Sequence, residues 1–132
     1  MKQHIAYIAL VVPDYNEAID YYTQTLGFEL LEDRDEPEAN KRWVVIAPPG
    51  GVGPGLVLSR ARDEAQRQAV GNQTAGRVFL FLHTDDFDRD YAAYRDRSVE
   101  FVRGPSTHEY GKVAVFKDCY GNLWDLIERP AT

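Results

Sequence analysis

The stretch VVPDYNEAIDYYTQTLGFEL, residues 11–30, has the pattern of a strand, a capped helix and a second strand. The first strand begins at Ile5 as a continuous apolar run and stops where a proline and Asp14 follow it. Asp14, with Glu17 three residues later, is typical of a helix N-terminus with a capping box. Apolar residues then recur at helical spacing as far as Gly27, which can adopt a positive φ and so ends the helix.

The same pattern occurs twice in the chain. After the first helix, strands are predicted at 28–31, 43–47 and 56–59, with a long loop at 48–55. A displacement of 72 residues lays Asp14 on Asp86 and Tyr22 on Tyr94. The second copy then predicts strands at 78–84, 99–103, 112–117 and 123–128, with a loop at 104–111.

The repeat predicts an α+β fold made of two tandem βαβββ units within a single domain, residues 1–132. Unit one covers about 4–59 and unit two about 77–128. The polar segment 60–76 is interpreted as a connector, with a short helix near 62–67.

Composition excludes several classes of protein. The chain has 132 residues and a net charge of -6, without a basic stripe, which argues against a nucleic-acid partner. Its single cysteine, Cys119, cannot form an internal disulfide or a cysteine-cluster zinc site. No apolar segment is long enough to span a membrane, and no signal segment follows Met1, so we expect a cytoplasmic protein without a membrane partner.

The chain resembles the vicinal oxygen chelate superfamily, which includes glyoxalase I, bleomycin-resistance proteins and extradiol dioxygenases. The resemblance extends from His4 to Glu128, and two segments carry it most specifically: residues 11–30 and FKDCYGNLWDLIE, residues 116–128. It implies two small mixed sheets, each curled around a cup, with helices packed outside. It also implies that chains pair, so we expect a homodimer.

The resemblance further implies four positions from which such enzymes bind a metal ion: Tyr7, Val57, Phe79 and Asp125. Only the last of these is a carboxylate, whereas a catalytic divalent site normally takes about three His, Asp or Glu ligands. We therefore predict no metal site and no cofactor. A divalent metal held by His83, Asp125 and Glu109 is kept as an alternative.

The side chains expected to face the cup are mostly aromatic. Flat apolar walls with a few polar groups suit a small organic molecule, and a carboxylate beside rings favours an aromatic or cationic one. The predicted ligand-binding residues are Tyr7, Trp43, Val57, Phe79, Phe81, His83, Tyr110 and Asp125.

Asp125 is also the candidate catalytic residue. Burial among rings would raise its pKa and suit it to abstract a proton next to a carbonyl. The alternatives are a salt bridge, for example to Arg42 or Lys112, or a solvated strand edge.

Three hypotheses for function follow. The first is a small-molecule binder that works without the usual metal, similar to the drug-sequestering members of the superfamily. The second is an enzyme of the lyase, isomerase or dioxygenase type, either metal-dependent or using Asp125 as an acid–base group. The third is a non-catalytic interaction module.

Overall fold

Eight strands form two four-stranded sheets in the computed structural model, which describes residues 1–130. The chain divides into two compact units, Met1–Val70 and a second that begins at Gly71. In each sheet one pair of strands is parallel and the other pairs are antiparallel. The predicted α+β class with two mixed sheets is therefore confirmed.

The sheet of the first unit has the strand order β1-β4-β3-β2. Its elements are β1 (Tyr7–Val12), α1 (Tyr15–Asp20), β2 (Glu29–Glu36), β3 (Lys41–Ala47), β4 (Gly55–Arg60) and α2 (Glu64–Ala69). Alternate residues of the strands point to opposite faces. One face is fully buried, with Leu10, Val44 and Leu58 at most 1% exposed. The buried residues Tyr15 and Ala18 bring α1 onto this sheet.

The sheet of the second unit has the equivalent order, β5-β8-β7-β6. Its elements are β5 (Val78–His83), α3 (Phe87–Asp96), β6 (Glu100–His108), β7 (Gly111–Lys117) and β8 (Leu123–Glu128). Phe116 and Trp124 stack with centroids 5.9 Å apart, and both are buried. Tyr94 from α3 meets the edge of Phe116 at 5.4 Å. This aromatic cluster fixes the helix on the sheet.

The two predicted helix caps are confirmed and have the same geometry. Asp14 accepts a hydrogen bond from the Glu17 N–H at 2.8 Å, and Asp86 accepts one from the Arg89 N–H at 3.1 Å. Each cap residue has an extended backbone, with φ of -151° and -150°. One acid three residues before a helical N–H therefore starts the first helix of each unit.

The turn at 118–122 is organised by one buried carboxylate. Asp118, 5% exposed, accepts hydrogen bonds from the backbone N–H groups of Tyr120, Gly121 and Asn122, each at 3.0 Å. It also accepts from the Asn122 amide at 3.0 Å and from the Trp124 indole at 3.1 Å. The DCYGN sequence is thus a structural motif that positions the start of β8.

The predicted loop at 104–111 is wrong, because β6 continues to His108 and only residues 109–110 form the turn. Gly104 and Pro105 are tolerated since β6 is an edge strand whose register shifts between Arg103 and Ser106.

Two further boundaries differ from prediction. The charged segment up to Glu36 extends β2 beyond the predicted end at residue 31, as an edge strand permits. The first predicted helix also changes form at Tyr21–Thr25, a wide π-helical turn in which the Leu26 N–H bonds to the Tyr21 carbonyl at 3.3 Å.

Candidate functional site

In the first unit, predicted site residues lie on the sheet face opposite Leu10 and Leu58; we call it the aromatic face, defined by Tyr7, Trp43 and Val57. Val57 on β4 pairs with Ala9 on β1 and Val45 on β3, which places these strands side by side here.

Tyr7 and Trp43 meet on the aromatic face. Their ring centroids are 5.4 Å apart with an interplanar angle of 88°, an edge-to-face arrangement. Beside this pair, Gly55 leaves room for Val45, because a Cβ there would stand 2.7 Å from Val45 Cγ1, whereas its distance of 3.5 Å to the Tyr7 ring would be an ordinary contact. The Arg34 guanidinium stands 5.6 Å from the Trp43 ring centroid. The indole Nε1–H of Trp43 is buried and has no hydrogen-bond partner among the described residues.

In the second unit, Asp125 lies at the centre of a row that crosses four strands. Phe81 on β5 and Val115 on β7 are its neighbours in register, and Arg103 on β6 is the next residue beyond Val115. Phe81 is 62% exposed and Val115 is buried. We call this surface the Asp125 face, defined by Phe81, Asp125 and Arg103.

The Asp125 side chain is partly buried, and one of its carboxylate oxygens lacks a hydrogen bond from the described residues. Its Oδ1 atom is buried without a hydrogen-bond partner among residues 1–130. Desolvation raises the pKa of Asp125 above its ordinary value of 3.8, and the positive charge of Arg103 opposes part of that rise. The two salt-bridge partners considered from the sequence bind elsewhere: Arg42 pairs with Asp33 at 2.8 Å and Lys112 with Asp88 at 2.6 Å.

The other predicted site residues of the second unit are more dispersed. His83 is exposed and in register with Ile127, two residues along β5 from Phe81. Phe79 lies at a register shift in β5, and its ring packs edge-on against Trp124 with centroids 6.3 Å apart. Tyr110 is exposed in the β6–β7 turn and stacks on His108 at 4.9 Å, outside the row of Asp125.

Sequence reasoning missed two cations on these faces, Arg34 and Arg103. Alternation alone would have placed Arg103 on the core face with Phe101, because the register shift between these two residues, which turns Arg103 towards Val115 and Asp125, is not visible in the sequence. Arg34 was missed because its segment was not assigned to a strand.

A sequence model of the Glyoxalase/Bleomycin resistance protein/Dioxygenase superfamily matches residues 4–126. The chain belongs to this superfamily. One relative is an uncharacterized protein of Shewanella frigidimarina, 56% identical over 128 residues, which are 97% of this chain and 95% of the relative.

Two solved structures share the fold of this chain over almost their full length. UcmS2 superposes with a TM-score of 0.82 at 26% identity, covering 96% of this chain and 98% of UcmS2. TnmS3, described as an antibiotic binding protein from Streptomyces sp. CB03234, superposes with a TM-score of 0.77 at 31% identity, covering 98% of both chains.

The four positions at which the superfamily resemblance implies metal ligands do not fit a divalent ion here. Tyr7, Val57, Phe79 and Asp125 offer one carboxylate, one phenol and two hydrocarbon side chains. Within residues 1–130, no three His, Cys, Asp or Glu side chains cluster as metal ligands would. Among residues 1–130, none of the helices combines the length and apolar character that crossing a membrane requires.

Proposed function

We propose that this protein binds a small organic molecule, aromatic or cationic, at the Asp125 face of the second unit and without the usual metal, and that the aromatic face of the first unit is a separate candidate surface for ligand contacts. One observation carries the proposal: the buried Oδ1 of Asp125 has no partner and lies in register with a largely exposed Phe81 ring.

A carboxylate oxygen that is buried without a hydrogen bond lowers the stability of the folded state. Its presence at Asp125 therefore points to a role other than stability. Removing a charged oxygen from water without a compensating hydrogen bond destabilises the folded state. A cationic ligand would restore the missing interaction at Asp125, while the exposed ring of Phe81 would contact the apolar part of the ligand and attract its charge. Arg103 lies two strands away and opposes the cost only partly.

The aromatic face of the first unit, taken by itself, offers apolar contacts to a ligand. Tyr7 and Trp43 offer flat apolar surface, Val57 an aliphatic one, and the unpaired Trp43 Nε1–H a single hydrogen-bond donor. Apolar walls with few, placed polar groups are typical of sites for small molecules. Phe79, His83 and Tyr110 stay predicted ligand contacts.

Similarity supports the same class of function. TnmS3 is described as antibiotic binding and is 31% identical to this chain over 98% of its length. The transfer of ligand binding from TnmS3 to this chain is part of the proposal.

A thermal-shift panel tests the proposal. Benzylamine, tryptamine and larger aromatic amines are compared with benzyl alcohol, which has the ring without the charge. Amines should raise the melting temperature of the wild type but not of Asp125→Asn, and the exposed-site control Asp20→Asn should behave as wild type. No shift with any compound would favour the non-catalytic interaction module, and equal shifts in Asp125→Asn would exclude the role of this carboxylate.

A second candidate function is acid–base catalysis by Asp125. Its raised pKa is the observation that favours this, since a base works best when its pKa approaches the working pH. Proton abstraction next to a carbonyl would then survive a chelator and disappear in Asp125→Asn. Turnover that requires added metal would contradict it.

We also propose that the chain forms a homodimer. Light scattering should give a mass of twice 15.0 kDa. A mass of 15.0 kDa would contradict the proposal.

A further inference from the structure

The ends of β3 and β4 enclose a cavity in the first unit. These strands pair at Val45 with Val57 and at Ile46 with Leu56. Beyond that point β3 continues along β2 as far as Lys41, and β4 continues along β1 as far as Arg60. A cavity of about 290 Å³ is lined by both of these strand ends. We call it the β3–β4 cavity.

The wall of the β3–β4 cavity is cationic, although the chain as a whole is acidic. Its lining includes four basic side chains and, among the described residues, no carboxylate. The four are Lys41, Arg42, Arg60 and Arg62. The net charge of the whole chain is -6, so this concentration of positive charge is local.

One of these four cations has an ion-pair partner among the described residues. Asp33 holds Arg42 through both carboxylate oxygens, at 2.8 and 3.2 Å. In the described part of the chain, Lys41, Arg60 and Arg62 form no ion pair.

The two acids at the start of α2, Asp63 and Glu64, already have hydrogen-bond or ion-pair partners. Asp63 caps the helix through the Gln66 N–H at 2.8 Å, and Glu64 pairs with Arg67 at 3.2 Å. Excess positive charge therefore remains at the β3–β4 cavity.

Aromatic groups give the cavity a flat wall. Tyr15 has two guanidinium groups close to its ring, Arg42 at 5.3 Å and Arg60 at 5.5 Å from the ring centroid. Its hydroxyl accepts a hydrogen bond from the Arg42 backbone N–H at 3.4 Å, which fixes the ring. Trp43 also lines the cavity, and its buried Nε1–H lacks an acceptor.

We infer that the β3–β4 cavity binds a small organic anion, a single ring bearing a carboxylate or phosphate group. Guanidinium groups match the geometry of both kinds of anion, and the Trp43 side chain that lines the cavity lies close enough to report an anion bound there. The inference does not use Asp125, which belongs to the other unit, so failure of the Asp125 proposal leaves it untouched; Trp43 and Val57 are shared with the aromatic face.

The two indole N–H signals in a ¹H–¹⁵N NMR spectrum test this inference. Trp43 has no acceptor, whereas the Trp124 N–H is bonded to Asp118 and serves as an internal control. Phenyl phosphate, benzoate and inorganic phosphate are titrated separately, with benzyl alcohol as the uncharged comparison. Trp43→Phe assigns the signals by loss of one peak.

We expect phenyl phosphate or benzoate to move the Trp43 signal at saturating concentration and leave Trp124 in place. Arg60→Gln should weaken this binding about tenfold or more, because a charge-assisted hydrogen bond is lost. Arg67→Gln removes the same charge from α2, outside the cavity, and should change affinity less than twofold. A comparison of phenyl phosphate with benzoate distinguishes the two acidic groups.

Three results would overturn the inference. The first is an unmoved Trp43 signal with every anion. The second is an equal shift with benzyl alcohol. The third is equal weakening by Arg60→Gln and Arg67→Gln, which would indicate a general charge effect rather than a site.

Discussion

Phe81 and Asp125 are partners in the parallel pairing of β5 with β8, so an exposed ring and a desolvated carboxylate project from the same face of one sheet. The pairing matters because the Phe81 ring cannot supply the hydrogen bond that the Asp125 carboxylate lacks. A ring edge can contact a carboxylate but provides no N–H or O–H donor for Oδ1. The site is therefore unsatisfied in the protein alone, and a ligand can gain affinity there.

Asp125→Asn should make the protein more stable at neutral pH. The folded state holds the Asp125 proton more tightly than the unfolded chain, because its pKa is raised above 3.8. The contribution of Asp125 to the free energy of unfolding is therefore fully present below the pKa of the unfolded chain. It is lost as the pH rises through the raised pKa of the folded state. Asparagine does not ionise, so Asp125→Asn does not lose this stability at neutral pH. A residue whose role is functional is expected to cost stability in this way.

Thermal melts at pH 7 and pH 3 measure this effect. The melting temperature of Asp125→Asn should exceed that of the wild type at pH 7, and the gap should shrink at pH 3. Asp20→Asn, at an exposed position, corrects for the change in net charge. A gap that grows on acidification would show that the sign of the pKa shift is wrong.

Asp118→Asn should be strongly destabilising. This side chain accepts at least five hydrogen bonds, and an amide would place two N–H donors among groups that are themselves donors. We expect a loss of about 3–5 kcal/mol in the free energy of unfolding, measured with urea. Trp124→Phe removes only one of the five bonds and should cost about 1–3 kcal/mol. Equal costs would contradict the central place of Asp118 in the turn.

Gly71→Ala should also destabilise the second unit. Gly71 has a φ of +77°, and a Cβ there would lie 1.7 Å from the Tyr120 carbonyl oxygen. Strain and collision together should cost about 2–5 kcal/mol. Gly76→Ala is the matched control, because φ is +90° and nothing lies within 4 Å of its Cβ. It should lose only about 1–2 kcal/mol, and a similar loss in both variants would refute the close contact.

Asp14→Ala and Asp86→Ala should have similar costs, about 1 kcal/mol each, since each removes one helix cap of the same geometry. Urea unfolding of both variants measures this. Asp20→Ala, in a helix but not at a cap, should stay within about 0.5 kcal/mol of wild type. A negligible effect at one cap alone would show that the two units do not use their repeated acids equally.

Local signals made much of the fold predictable. Asp14 and Asp86 act on N–H groups three residues away, so their role can be inferred from a few positions. The end of β6 was not predictable in this way. A Gly-Pro pair normally indicates a loop, and only the edge position of the strand, a property of the whole sheet, allows Pro105 to remain in it.

The candidate site was predictable only in part. Strand alternation predicted that Phe81 faces the cup and the superfamily resemblance implied the same for Asp125, and the register shows that the two lie on one face. Neither could indicate that the Trp43 N–H lacks an acceptor, or that Arg60 and Arg62 line a cavity, because both depend on where β3 and β4 stop pairing. The alternation of side chains along a strand also cannot predict the register shift at Phe79.

Calorimetric binding of the tightest aromatic amine from the panel, measured across pH, tests the central claim most directly. Affinity should rise with pH through the raised pKa of Asp125, as the carboxylate ionises, and then level off. Asp125→Asn should abolish that rise and weaken binding about tenfold or more, while Asp20→Asn should not. A pH-independent affinity that is the same in wild type and Asp125→Asn would contradict the proposal that this carboxylate receives the ligand.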